Sequence, residues 1–200
     1  MTRVSFTQNH RWHLPLLLLV FCCSFFINNG AIFADIMESR NIITAREMVY
    51  DHNWLVPTMN GELRLEKPPL PTWIAAITEM ISPDNLPLQR AMAGFAAVML
   101  VLFFYKFATK LTDNRTYALV SSLVLCTSYN SILMGRTATW DSYCHAFMMG
   151  AIYYLYLSLR QNPCKWTYFI GAGIFMGLSF LGKGPVSFYA LLLPFVCAYI

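Results

Sequence analysis

Apolar runs alternate with short charged connections along this chain. The first run extends from about His13 to Ala34, with a core at Leu14-Pro15-Leu16-Leu17-Leu18-Leu19-Val20-Phe21. Further runs cover roughly Leu88 to Phe107, Thr116 to Met134, Ser142 to Leu159 and Trp166 to Leu181, and a last one starts near Val186. A helix of about 20 apolar residues crosses the hydrocarbon core of a bilayer. The pattern therefore predicts an all-α fold, a polytopic transmembrane helix bundle of about five or six spans. Leu19-Val20-Phe21-Cys22 is a poor lipobox because Phe21 replaces a small residue, and no small-x-small site follows. The first run is accordingly read as an uncleaved helix. The last is still apolar at Ile200, which reads as a piece of a longer membrane protein.

Between the first two runs lies a polar island, from Asp35 to about Pro87. It carries Glu38, Arg40, Arg46, Glu47, Asp51, Glu62, Arg64, Glu66 and Lys67. Ser39 is a candidate cap for a helix near Arg40–Asp51. That helix would place Asn41, Thr44, Glu47 and Asp51 on one face and Ile42, Ala45 and Val49 on another, an amphipathic pattern suited to the bilayer surface. Asn60-Gly61 signals a turn, and Pro68-Pro69 with Pro71 interrupts regular helix. A second juxtamembrane helix is expected from Thr72 to Ile81, anchored by Trp73.

Charge sets the orientation. Short connections rich in Lys and Arg stay cytoplasmic. Arg3 and Arg11 precede the first span, Lys106, Lys110 and Arg115 follow the second, and Arg160 and Lys165 follow the fourth. If every span crosses once, these segments share one side. The island, the Arg136–Asp141 turn and Lys183 then share the other. The sequon Asn114-Arg115-Thr116 falls on the predicted cytoplasmic side, where glycosylation is not expected.

Composition agrees with this class: 57% of the 200 residues are hydrophobic and 12% charged, against about 25% charged in soluble domains. The net charge of +4 is small. With no basic stripe interleaved with aromatics, nucleic acid is not an expected partner. Cys22, Cys23, Cys126, Cys144, Cys164 and Cys197 form no C-x-x-C pair. They read as small apolar side chains rather than a disulfide framework or zinc site.

Six residues could carry chemistry. Glu38 is either a general base at the membrane face or a solvated interfacial acid. Glu66-Lys67 precedes a proline pair that fixes the backbone, and Lys67 offers a compact cation for a phosphate. Asp141 at a helix start is either functional or a simple complement to the helix dipole. Arg136 either pairs with it, binds a ligand phosphate or marks the end of a span. Lys183 lies between two glycines that permit close approach to a ligand, or snorkels from a helix end. Gly182-Lys183-Gly184 is not a P-loop, since the G-x-x-x-x-G-K-[ST] pattern is absent. His145 lies one turn beyond Asp141 and is expected to hydrogen-bond within the bundle. Metal ligation is open: two carboxylates could hold a divalent metal ion, but no spacing is diagnostic.

Met37-Glu38-Ser39-Arg40, Thr44-Ala45-Arg46-Glu47-Met48, Asn53-Trp54-Leu55-Val56-Pro57, Asn60-Gly61-Glu62 and Leu65-Glu66-Lys67-Pro68-Pro69-Leu70, with Gly135-Arg136, Asp141 and Gly182-Lys183-Gly184, together resemble one family. This is the membrane-embedded GT-C glycosyltransferases of the aminoarabinose–lipid A transferase and protein mannosyltransferase type. The resemblance runs from about Asp35 to Pro185. It implies transfer of a sugar from a polyprenyl-phosphate donor to a lipid A-like, glycan or protein acceptor, with inversion. It implies a bacterial inner-membrane protein whose active site faces the periplasm. Glu38 falls in the region of the family's acidic pair, with Met37 where an Asp is usual. Glu66 and Lys67 match the loop's Glu-Lys, Asp141 a second external acid, and Lys183 a later lysine. Residues 1–200 would then be the N-terminal part of a GT-C transmembrane domain, lacking the C-terminal spans and any extracytoplasmic domain. The rival readings are a membrane transporter, which would favour polar residues within broken spans, and a non-catalytic membrane scaffold.

Overall fold

The computed structural model describes residues 12–160 and 165–199. Arg3, Arg11 and Cys164 lie outside them. Helix α1 (His13–Phe21) runs on through a π-helical turn, Cys22–Phe26, and α2 spans Ile36–Tyr50. A two-stranded hairpin, β1 (Thr58–Met59) and β2 (Glu62–Leu63), precedes α3 (Leu70–Ile81). Then come α4 (Leu86–Thr112), α5 (Arg115–Thr127), α6 (Tyr129–Arg136), α7 (Asp141–Arg160) and α8 (Trp166–Lys183). A second π-helical turn, Phe188–Leu192, leads into α9 (Leu193–Tyr199).

Helices occupy the predicted apolar runs, but among the described residues only one is long and apolar enough to cross a membrane, or two if a bent pair counts as one span, rather than the five or six spans expected. The first ends at Phe26, because Ile27 turns extended. The third is broken at Ser128, where α5 and α6 meet at 61°. Ser128 is extended, with its hydroxyl turned back on the Leu125 carbonyl at 2.8 Å, so the α5 ladder stops there. By length and composition α4 can cross a membrane alone, and α5 with α6 passes only as one bent span.

α7 is the centre of the bundle, packed between α4 and α8. Leu17, Phe21 and Phe25 bury against Ala97, Val101, Leu119 and Cys126. Met148, Met149, Ala151 and Ile152 meet the phenylalanines of α4, α8 and the last segment. Close approach at the polar end needs Gly135: a Cβ there would stand 2.5 Å from Phe25 and 2.9 Å from Ala97.

The island is folded onto the bundle. α2 starts at Ile36 rather than near Arg40, because Glu38 reaches back to accept the Asp35 N–H at 3.1 Å. Ser39 therefore lies inside the helix and does not cap it. The face assigned to water is turned inward: Asn41 and Thr44 are buried beside Ala45 and Met48. Asn41 accepts from the Thr72 hydroxyl at 2.9 Å, and Thr44 accepts from Arg64 at 2.7 Å. Asn60 and Gly61 form the hairpin turn with φ of 56° and 78°, the pair of positive values a two-residue type I′ turn requires. The prolines interrupt only the approach to α3, which begins at Leu70 with Pro71 in its first turn, where no amide is needed for the ladder. Trp73 packs with Ala45, Met48, Ala75 and Ala76 and donates to the Trp54 carbonyl at 2.8 Å.

One buried ion pair ties these pieces together. Glu38 is 1% exposed and faces Arg90 of α4, with Nε to Oε1 at 2.9 Å and Nη2 to Oε2 at 2.8 Å. Arg90 also donates to the carbonyls of Asn29 and Ile32 at 2.9 Å and of Phe33 at 3.3 Å. Glu38 accepts the Ala138 N–H at 2.7 Å. Burial pushes the Glu38 carboxyl up, but its hydrogen bonds from Arg90, Ala138 and Asp35 and the charge of Arg90 outweigh this and hold it below its ordinary value.

A carboxyl whose pKa is lowered by folding stabilises the fold fully above its unfolded value, about 4.3 for Glu, and loses that contribution as pH falls through the lowered folded value. Thermal unfolding in detergent should therefore show a steeper loss of stability below about pH 4.3 in the parent than in Glu38→Gln. At neutral pH, Arg90→Met leaves an unpaired buried carboxylate and should cost about 3–5 kcal/mol.

Candidate active site

The short connection between α6 and α7 is where the candidate residues meet. Thr137 is extended after α6 and α7 begins at Asp141, so residues 137–140 are free to bond sideways. Glu38 takes the N–H of Ala138, while Asn41 donates to its carbonyl at 3.3 Å. The Ser142 hydroxyl donates back to Met134 O and closes the turn. Trp140 is 3% exposed. Arg64 Cζ lies 5.7 Å and Lys67 Nζ 6.0 Å from its ring centroid. The next residue, Asp141, pairs with Lys183.

Lys183 is placed there by the end of α8. Gly184 stops that helix with φ 72° and ψ −149°, a region that is essentially glycine-only. Gly182 sits against α7, where a Cβ would stand 3.1 Å from Cys144 Cα. Both members of the Asp141–Lys183 pair are partly exposed, at 28% and 26%. His145 Nδ1 lies 2.7 Å from Asp141 O, the hydrogen bond expected within α7.

Arg136 does not pair with Asp141. It donates to the carbonyls of Ser24 at 3.1 Å, Ile27 at 2.9 Å and Asn28 at 3.1 Å, satisfying the end of the first helix. Arg136, Glu38 and Arg90 line a cavity of about 390 Å³ whose other walls include Ile32, Phe33, Ile132 and Leu133. Glu66 stands apart, exposed, with its carboxylate 4.0 Å from Arg64 Nε. Glu38, Lys67, Asp141 and Lys183 thus surround one connection without lining a single pocket.

The electrostatics divide the two acids. Both Glu38 oxygens are occupied by Arg90 and by backbone amides, and such a carboxylate is a poor proton acceptor. Asp141 keeps partial solvent exposure and pairs with Lys183. Burial pushes the Arg64 guanidinium down, with Glu66 opposing and Arg40 reinforcing the shift. Lys67 makes no ion pair among the described residues. The positive charge around Trp140 is therefore poorly matched. Among the described residues no three His, Cys, Asp or Glu side chains group as metal ligands, and each of the two acids considered for a cation already holds a basic side chain.

Sequence reasoning missed Arg90, Arg64 and the burial of Trp140 beneath Arg64 and Lys67. For Arg90 a signal existed: it is the sole charge between Leu86 and Tyr105, and an ionisable residue inside an apolar span marks a paired or functional group. Arg64 looked like any charge in a solvated loop, and nothing local showed its burial.

Comparison with known proteins gives a consistent picture. The dolichyl-phosphate-mannose-protein mannosyltransferase family matches residues 66–199. An undecaprenyl phosphate-alpha-4-amino-4-deoxy-L-arabinose arabinosyl transferase of Yersinia enterocolitica is 28% identical over 80% of this chain and 28% of its own length. Its counterpart in Shewanella sediminis is 31% identical over 80% of this chain and 29% of its own length. The crystal structure of ArnT from Cupriavidus metallidurans bound to undecaprenyl phosphate superposes with a TM-score of 0.78 at 16% identity, covering 97% of this chain and 36% of that one. This chain spans roughly three-tenths of the length of these relatives. The shared architecture is that of a helical membrane protein. With two thirds of its length matched, the chain belongs to the dolichyl-phosphate-mannose-protein mannosyltransferase family, within the GT-C glycosyltransferases of the ArnT and protein mannosyltransferase type.

Proposed function

We propose that this chain supplies the phosphate-facing part of a polyprenyl-phosphate-dependent glycosyltransferase. In this reading the sugar passes to a lipid A-like, glycan or protein acceptor on the extracytoplasmic face of a bacterial inner membrane, with inversion. The observation that carries it is the convergence of Lys67, Asp141 and Lys183 on the α6–α7 connection. The family membership and the arabinosyl transferase relatives support the donor class.

The chemistry follows from charge. The acceptor oxygen attacks the anomeric carbon from the face opposite the carrier. The carbon–oxygen bond to the carrier phosphate breaks, and its electron pair stays on the phosphate. Cations aimed at that developing charge lower the barrier. Lys67 makes no ion pair among the described residues, and Lys183 can exchange Asp141 for the phosphate. That exchange frees Asp141 to orient the acceptor or take the proton of a hydroxyl acceptor. A phosphate acceptor would need no such proton transfer. Arg136 and Glu66 border the site, the former bracing the end of the first helix and the latter balancing Arg64. Glu38 acts through Ala138, positioning the connection rather than touching the acceptor.

The test uses the protein expressed from its complete reading frame and a labelled polyprenyl-phosphate sugar. Lys183→Met should reduce transfer about 10²-fold or more, the typical loss of one group that stabilises transition-state charge. Asp141→Asn should fall by a similar factor if it takes a proton, with melting temperature nearly unchanged. Transfer unaffected by both substitutions would refute the assignment. Glu38→Gln should lower melting temperature and transfer together. An inactive Glu38→Gln of parental stability would instead make Glu38 the base.

A further inference from the structure

The far end of α4 carries charges that the proposed reaction does not use. α4 is long and apolar enough to cross a membrane. Lys106 follows Leu86 by roughly 20 residues, about 30 Å of helix, which is the thickness of a hydrocarbon core. Lys106 and Lys110 are one turn apart and share a face of α4. Asp113 then ends the helix with φ 51°. The Asn114 side chain caps α5 by accepting from the N–H groups of Thr116 and Tyr117, both at 3.0 Å. That reversal returns Arg115 to the same place. With Tyr105 and Thr109 of α4 and Tyr153 of α7, the three cations line a cleft of about 270 Å³.

The charge of this cleft is unmatched. Among the described residues none of Lys106, Lys110 and Arg115 forms an ion pair. Asp113 is the sole acid between Lys106 and Arg115 in sequence, and its carboxylate lies 3.3 Å from Arg160. Like charges one turn apart destabilise a helix, so an anion bound between them would relieve a cost. The walls are held independently of any ligand. The Tyr105 hydroxyl lies 3.2 Å from His13 Nδ1, and the Tyr153 ring packs on Phe103 with centroids 6.0 Å apart. Tyr156 donates to the Lys110 carbonyl at 3.0 Å. The Thr109 hydroxyl is spent on the Tyr105 carbonyl at 2.8 Å, which leaves recognition to the cations. Topology asks only for positive charge on this side of the membrane. It does not ask for three cations from two helices around one cleft walled by tyrosines.

We propose that this cleft binds the headgroup of an anionic phospholipid, a phosphodiester with no compensating cation of its own. Its height on α4 selects a lipid over a soluble anion, because lipid phosphates lie just beyond the hydrocarbon core. Tyrosine is at home at that level. Lysine meets phosphate as a compact point charge, and basic pockets between membrane helices take anionic headgroups. The site lies at the other end of α4 from Arg90 and stands apart from the sugar-transfer reading.

The test uses the complete protein purified in detergent, with lipid binding read by native mass spectrometry. Dioleoyl phosphatidylglycerol should bind about tenfold or more tightly than dioleoyl phosphatidylcholine, which has the same chains and phosphate but no net charge. Lys110→Gln and Arg115→Gln should each weaken phosphatidylglycerol binding about fivefold, the worth of one basic residue near an anionic headgroup. Lys110→Arg should keep it. Lys165→Gln makes the same change in net charge outside the cleft and should leave binding unchanged. All of these side chains are exposed, so melting temperatures without added lipid should match the parent. Should Lys110→Gln unfold, the comparison of Arg115→Gln with Lys165→Gln decides in its place. Equal binding of the two lipids, or equal losses inside and outside the cleft, would overturn the proposal. So would displacement of phosphatidylglycerol by equimolar inorganic phosphate, which would make the cleft a site for a soluble anion.

Discussion

The polar end of this bundle depends on the ion pair between Glu38 and Arg90. Burying two charges costs several kcal/mol per ion unless geometry and additional hydrogen bonds offset it. Here the pair is bidentate, and the surplus donors of Arg90 reach three carbonyls in the turn after the first helix. The surplus capacity of Glu38 takes two backbone amides. Four segments are thereby locked to one another: the end of the first helix, the start of α2, the start of α4 and the connection into α7. None of these bonds is between neighbours in sequence except the return to Asp35.

That clamp explains how flexible pieces present a defined surface. A loop that leaves one helix and enters another would normally be mobile and solvated. Here Ala138 is held on both its N–H and its carbonyl, so Trp140 and Asp141 emerge at a set place and angle. Lys183, from the end of α8, then pairs with Asp141, and Lys67, from the proline-fixed loop, lies over the Trp140 ring. Arg64 and Lys67 both lie over one indole ring there, with Glu66 4.0 Å from Arg64.

The sequence carried much of this, but unevenly. Helix positions followed from hydropathy, and Asn60-Gly61 gave the hairpin turn because only a pair tolerant of positive φ closes it. Counting charges between runs grouped Glu38, Glu66, Lys67, Arg136, Asp141 and Lys183; in the fold Asp141 pairs with Lys183, Lys67 lies over Trp140 and Glu38 holds Ala138, whereas Glu66 stands apart and Arg136 turns to the end of the first helix. The face of α2 was misjudged because periodicity tells which residues share a face, not which face meets the protein. Asn41 and Thr44 are as hydrophilic as their neighbours, yet they are buried because Thr72, Ala138 and Arg64 supply partners.

What the amino-acid sequence determined by itself was local or additive: helix segments, turns, the membrane class and the set of charges at one end. Each depends on propensities and hydropathy that act over a few residues. Tertiary structure decided which charges pair. Glu38 finds Arg90 52 residues away and Ala138 100 residues away, and those choices turn a presumed surface acid into a buried brace. They also leave Asp141 paired with a partly exposed lysine, Lys183. Pairing of this kind follows from packing, because desolvation and hydrogen-bond geometry act only between groups that the fold has already brought together.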